Sequence, residues 1–130
     1  MSHNHHVLTP PEWYVMECLW EKSPRTGREV VEYLEKAVGW SRSTSLTMLR
    51  RMTEKGMISC DESGAIRHYT PLVNQDEATT QQTNDFLSRV YHGSIGMMLS
   101  AFTKKQSLTQ AEIDELYSIL DEAKEDLNNQ

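Results

Sequence analysis

The chain has 130 residues, of which 38% are hydrophobic and 25% charged, with 4 prolines and 6 glycines. That is enough apolar material for a core and too little Pro and Gly for a disordered or fibrous chain. Net charge is −6, but residues 1–73 balance nine Lys and Arg against nine Asp and Glu, whereas residues 74–130 hold four against ten. The two parts therefore face different partners.

The longest uncharged apolar stretch, Ile95 to Phe102, is far short of the ~20 residues a membrane span needs. The opening M-S-H-N-H-H lacks the basic-then-apolar order of a secretion signal. A soluble cytoplasmic protein with no membrane insertion is expected. Cys18 and Cys60 form no C-x-x-C pair, so a zinc ribbon and a redox motif are excluded and both thiols are expected reduced.

In chain order, Thr9-Pro10-Pro11-Glu12 is a capping box with proline at the first helical position. Trp13, Met16, Leu19 and Trp20 follow at helical spacing, and Lys22-Ser23-Pro24-Arg25 ends this helix. Thr26 and Glu29 repeat the box, Val30, Val31, Leu34 and Val38 make a second apolar stripe, and Gly39 closes it. A third helix starts at Ser41 or Ser43, with Leu46, Leu49 and Met52 as its expected inner face and Gly56 as its stop. Met57–Asp61 and Ala65–Thr70, separated by E-S-G, read as a two-stranded hairpin ended by Pro71.

After Asn74 the character changes. Phe86, Leu87, Val90, Tyr91, Ile95, Met98 and Phe102 mostly keep helical steps, with Gly93 and Gly96 weakening the middle. Ser107-Leu108-Thr109 starts a last helix, whose Ile113, Leu116, Leu120, Ala123 and Leu127 step as a heptad seam. The expected organisation is a flexible N-terminus (1–7), a compact domain (8–73) and a helical region (74–130).

Three helices plus a hairpin is the plan of a winged helix-turn-helix, whose third helix enters the DNA major groove. The fold class expected is therefore mainly α: an N-terminal winged helix-turn-helix with a β-hairpin wing, then a C-terminal helical dimerisation region. From Ser41 to Lys55 the cations Arg42, Arg50, Arg51 and Lys55 face only Glu54. Arg42, Arg50, Arg51 and Lys55 are candidates for phosphates, and Ser43, Thr44 and Thr47 for base edges. Arg67 and His68, placed in the second hairpin strand, are candidate wing contacts. A solvated face on a small helical core is the competing reading.

The stripes after Asn74 offer a self-association surface through Phe86, Val90, Tyr91, Met98, Phe102, Leu116 and Leu120, because two helices without a third element bury a stripe poorly. No catalytic constellation, metal site or cofactor motif is expected. His3, His5 and His6 read as a mobile terminus, and H-E-x-x-H and a phosphate loop are missing.

The chain resembles the penicillinase-repressor family, the BlaI/MecI/CopY group of bacterial transcription regulators. The resemblance is carried by L-T-P-P-E-W-Y-V-M-E-C-L-W, W-S-R-S-T-S-L-T-M-L-R-R-M-T-E-K-G-M-I, F-L-S-R-V-Y-H-G-S and L-T-Q-A-E-I-D-E-L-Y-S-I-L, in register from about Leu8 to Leu120. It implies a homodimeric repressor on double-stranded palindromic operator DNA that controls resistance genes. In the β-lactam branch it also implies a membrane sensor-protease, and cleavage just before a Phe in the dimerisation region. By position that bond maps to Ala101–Phe102, and Ala101 stands where the branch usually carries Asn. The C-x-C pairs of the copper-responsive branch are missing, and Ser43 and Leu46 replace basic residues often seen early in the third helix. A metal- or ligand-responsive repressor using Cys18, Cys60 and the N-terminal histidines, and a winged helix that docks protein, are the alternatives.

Overall fold

The computed structural model describes residues 7–130. His3, His5 and His6, and with them the expected flexible N-terminus apart from the exposed Val7, lie outside the described residues. Helix α1 spans Pro10–Glu21, strand β1 Arg25–Thr26, α2 Gly27–Val38, α3 Arg42–Glu54, β2 Ile58–Asp61 and β3 His68–Pro71. Three further helices follow: α4 (Gln75–Tyr91), α5 (Ile95–Lys105) and α6 (Gln110–Asn128). The chain divides into two compact units, Met1–Asp85 and Phe86–Gln130, with the boundary inside α4.

In the first unit both capping boxes form. Thr9 and Thr26 each accept the backbone N–H three residues on, while Glu12 and Glu29 reach back to the cap N–H. These bonds satisfy amides that would otherwise lack partners at a helix start. Helix α2 ends where Gly39 turns left-handed at φ 73°, a conformation that costs a residue with a Cβ. Ser41 is the N-cap of α3 and accepts from Thr44 N, which resolves the two starts the sequence allowed.

Met16, Leu19, Leu34, Leu49 and Met52 are fully buried, with Val15, Cys18, Val30, Met57 and Ile58 around them. Each buried side chain of this size contributes about 1.5–3 kcal/mol by leaving water. Ala78, near the start of α4, joins the same core, and Trp20 Nε1 donates to Val73 O at 2.8 Å.

The sheet differs from the expected hairpin in two respects. It has three strands in the order β1-β3-β2, both pairings antiparallel. The added strand is the two-residue β1, too short to leave a periodic signal. The second hairpin strand also starts at His68 rather than Ala65, so residues 62–67 form a longer wing loop instead of a tight E-S-G turn. Asp61 Oδ1 accepts from Ser63 N at 2.9 Å and starts that loop.

In the second unit Ser94 caps α5, and Thr109 caps α6 with Glu112 completing a third capping box. His92 and Gly93 take positive φ, so the stretch after Asn74 is two helices with a turn between them. Among the described residues of this unit no side chain is fully buried. The apolar residues of α5 and α6 leave between them a groove of about 310 Å³ lined by Leu99, Leu108, Ile113, Leu116 and Leu120. No helix of the described residues is long and apolar enough to cross a membrane.

Candidate nucleic-acid interface

Helix α3 is fixed by what it buries. Ser45, Leu49 and Met52 face the core, and Met48 is half-buried beside them. Leu46 does not belong to this face: it is 37% exposed. The expected inner line was one residue off at its start: Ser45, and not Leu46, is the residue buried there. Ser45 Oγ is buried with no hydrogen-bond partner among the described residues.

With Ser45, Leu49 and Met52 inward, the opposite face carries Ser43, Thr47, Arg50, Arg51 and Glu54. Ser43 and Thr44 are exposed on the first turn, and Thr47 is half-buried. Arg42 and Arg51 are exposed and have no ion-pair partner among the described residues. Arg50 has the Glu54 carboxylate at 4.0 Å, with both side chains well exposed, a contact too loose and too hydrated to withhold the guanidinium from a phosphate.

Lys55 is differently employed. Its Nζ lies 2.7 Å from Glu12 Oε2, and Glu12 is buried. Burial raises the Glu12 carboxyl, but the Lys55 ammonium and the Thr9 hydrogen bonds together hold it below its ordinary value. Lys55 thus ties the end of α3 to the start of α1.

The wing separates its two candidates. Arg67 stands in the loop, exposed, with Glu62 at 4.0 Å. It precedes β3 instead of lying in the strand. His68 is on β3, the central strand, half-buried and paired with Thr26 on one side and Asp61 on the other. Between α3 and the wing runs a groove of about 420 Å³ bordered by Leu46, Thr47, Arg50, Cys60, Arg67 and Tyr69.

Arg25 was not singled out by its sequence pattern. Its Nε donates to Cys18 O and Lys22 O at 3.0 Å each, its NH2 meets Glu21, and its guanidinium lies 5.2 Å from the Tyr33 ring centroid. It satisfies carbonyls at the end of α1 and holds β1 in place. A cation just after a helix stop was the available signal.

The self-association candidates separate too. Phe86, Val90, Phe102 and Leu120 are exposed. Tyr91, Met98 and Leu116 are half-buried within the unit, and Tyr91 meets the Phe86 ring edge-on at 6.0 Å. Ile95, Met97, Tyr117, Ile119 and Leu127 are further exposed apolar residues of this unit. Ala101 is half-buried inside α5, and Phe102 O accepts from Gln106 N at 2.9 Å.

Metal-sensing geometry finds no support in the described residues: no three His, Cys, Asp or Glu side chains gather as a ligand set. Burial pushes the Cys18 thiol up to about 11, which leaves it protonated and unreactive at neutral pH.

The model of one protein family, described as penicillinase repressor, matches residues 8–122. A penicillinase repressor of Bacillus licheniformis is 33% identical over 117 residues, 90% of this chain and 91% of that one. The methicillin resistance regulatory protein MecI of Staphylococcus aureus strain N315 is 28% identical over 120 residues, 92% of this chain and 98% of that one. The solution structure of the DNA binding domain of the repressor BlaI is 31% identical, covers 54% of this chain and 85% of its own, and superposes with a TM-score of 0.49.

Proposed function

The chain belongs to the penicillinase repressor family, and from that premise we propose that it is a DNA-binding transcriptional repressor acting as a homodimer in the cytoplasm, where its operator lies. The observation that carries the DNA contact is the exposed surface of α3, where Arg42 and Arg51 stand without an ion-pair partner among the described residues and Ser43 and Thr44 are exposed on the first turn. Cations without carboxylate partners release counterions when they meet phosphate, which gives salt-dependent affinity. Short hydroxyl side chains on the first turn reach base edges. Arg67 adds a phosphate contact from the wing. Lys55 braces α3 through Glu12, with His68 set back in the sheet.

Residues 8–73 bind DNA in this reading, and residues 74–130 couple two copies. Phe86, Val90, Phe102 and Leu120 support the second role, since they are exposed in a unit with no buried core of its own. Large apolar exposure of this kind marks an interaction surface. One recognition helix reads few base pairs, whereas a pair reads a palindrome with half-sites one DNA turn, about 34 Å, apart. The acidic excess after residue 73 repels phosphate and leaves binding to the winged helix.

The operon controlled is one of resistance or stress. Release follows a signal on the dimerisation region; a sensor-protease cut at Ala101–Phe102 would part α6 from α4 and from the first part of α5, and would weaken the dimer. This reading assigns the chain no catalytic role.

Fluorescence anisotropy with a duplex carrying the chain's own upstream region tests this. Binding that weakens steeply with salt, by a protein sedimenting as a dimer, is the expected outcome. Indifference to that duplex at low salt would refute the DNA-binding reading and favour a winged helix that docks protein.

A further inference from the structure

Leu46 projects from the second turn of α3 at the flank of its outward face, one helical turn from Arg42 and one from Arg50. It forms the ridge between two concavities. One runs to Thr47, Arg50 and Cys60, and the other, of about 390 Å³, to Gly27, Arg28 and Ile66; Arg67 and Tyr69 border both. An exposed leucine alone needs no explanation. This one sits among the arginines at positions 28, 42, 50 and 67, at the edge of the helix face assigned to DNA, and is not among the side chains packed against the core cluster.

We propose that Leu46 is a specificity-determining residue, which reads a thymine through the C5-methyl group in the major groove. The inference rests on the DNA-binding reading above. Thymine alone presents a methyl group on that edge; guanine, cytosine and adenine offer hydrogen-bond donors and acceptors there and no methyl. Leu46 has no side-chain donor or acceptor. A polar edge pressed against it loses water without gaining a partner, so it favours thymine and penalises the alternatives. Arg42 and Arg50, on either side along the helix, hold the phosphates that set the register.

The test begins with duplexes enriched from a random pool by the full chain. Each thymine of the enriched half-site is then replaced by uracil, which removes only the methyl group. At one position of the half-site, replacement in a single half-site is expected to weaken binding about fourfold, the effect of one buried methyl group, and replacement in both about fifteenfold. Leu46→Ala, whose melting temperature should stay close to that of the parent, is expected to bind the thymine and uracil duplexes equally. Leu46→Arg is expected to move the preference at that pair to guanine, since a guanidinium bonds O6 and N7. Should uracil leave the parent unaffected, or penalise Leu46→Ala as much as the parent, the proposal fails while DNA binding stands. Should no duplex be enriched at all, both fail.

Discussion

The two units put similar side chains to opposite ends. In the first, helices α1, α2 and α3 and a three-stranded sheet enclose Met16, Leu19, Leu34, Leu49 and Met52 until none is accessible. In the second, apolar residues recur at the same helical spacing, yet Phe86, Phe102 and Leu120 stay 43%, 44% and 57% exposed. Helical periodicity marks a face that wants burial; whether the face is buried within one chain depends on how many elements converge on it. The first unit holds a core of its own, and the second buries no side chain fully.

The largest test of that contrast is Leu34→Ala. It should cost about 2–5 kcal/mol, read as a lowered urea midpoint; a cost below about 1 kcal/mol would mean the first unit is not held by this core. Phe86→Ala and Leu120→Ala should leave that midpoint nearly unchanged. In the proposed dimer each should raise the dissociation constant about tenfold or more, since the half of each side chain that stands exposed is worth about 1 kcal/mol and is lost from both copies. Sedimentation at graded concentrations reads this, and an unchanged association constant would break the comparison.

Next comes the Glu12–Lys55 pair, a polar tie within the first unit. Lys55→Ala strips a buried carboxylate of its cation and should cost about 1–3 kcal/mol. The fold holds the Glu12 carboxyl below its usual value of 4.5. Its contribution is therefore complete above pH 4.5 and is lost as pH falls through that value toward the lower folded one. The drop in melting temperature between pH 5.5 and pH 3.5 should be shallower in Lys55→Ala, and an equal drop in both proteins would remove Glu12 from the account.

A smaller effect belongs to the surface. Arg51→Ala should lower affinity for all duplexes and reduce the logarithmic salt slope by about 1 per half-site, about 2 for the dimer, leaving stability and dimerisation alone; an intact slope would deny Arg51 its phosphate. Smallest is Ser45→Ala, which removes a buried hydroxyl that has no partner among the described residues. Thermal melts should show it neutral or stabilised by about 1 kcal/mol or less.

Most of the first unit is legible in the sequence. Capping boxes are local chemistry: Thr9 with Glu12 and Thr26 with Glu29 announce helix starts, and Gly39 announces a stop, because their partners lie within four residues. The arginines of α3 are legible too: helical register suffices to put Arg51 outside, and Arg42 is exposed at the first position of the helix. Leu46 is not. A one-residue shift of the buried face depends on how α3 is rotated against its neighbours, and Ser45 is the residue buried there. Likewise β1 exists because β3 offers it a partner more than forty residues away, and Lys55 leans on Glu12 across a similar distance.

What the sequence determined by itself is what short-range chemistry sets: the capped starts of α1, α2 and α6, the alternation of stripes, the cationic third helix and the acidic second half. What only the tertiary structure decided is which side chains those stripes spend on one another. It turned Leu46 outward, drew Lys55 to Glu12 and left Phe102 and Leu120 uncovered. The physical reason is that burial belongs to pairs of surfaces, and a chain spells out each surface without spelling out its mate.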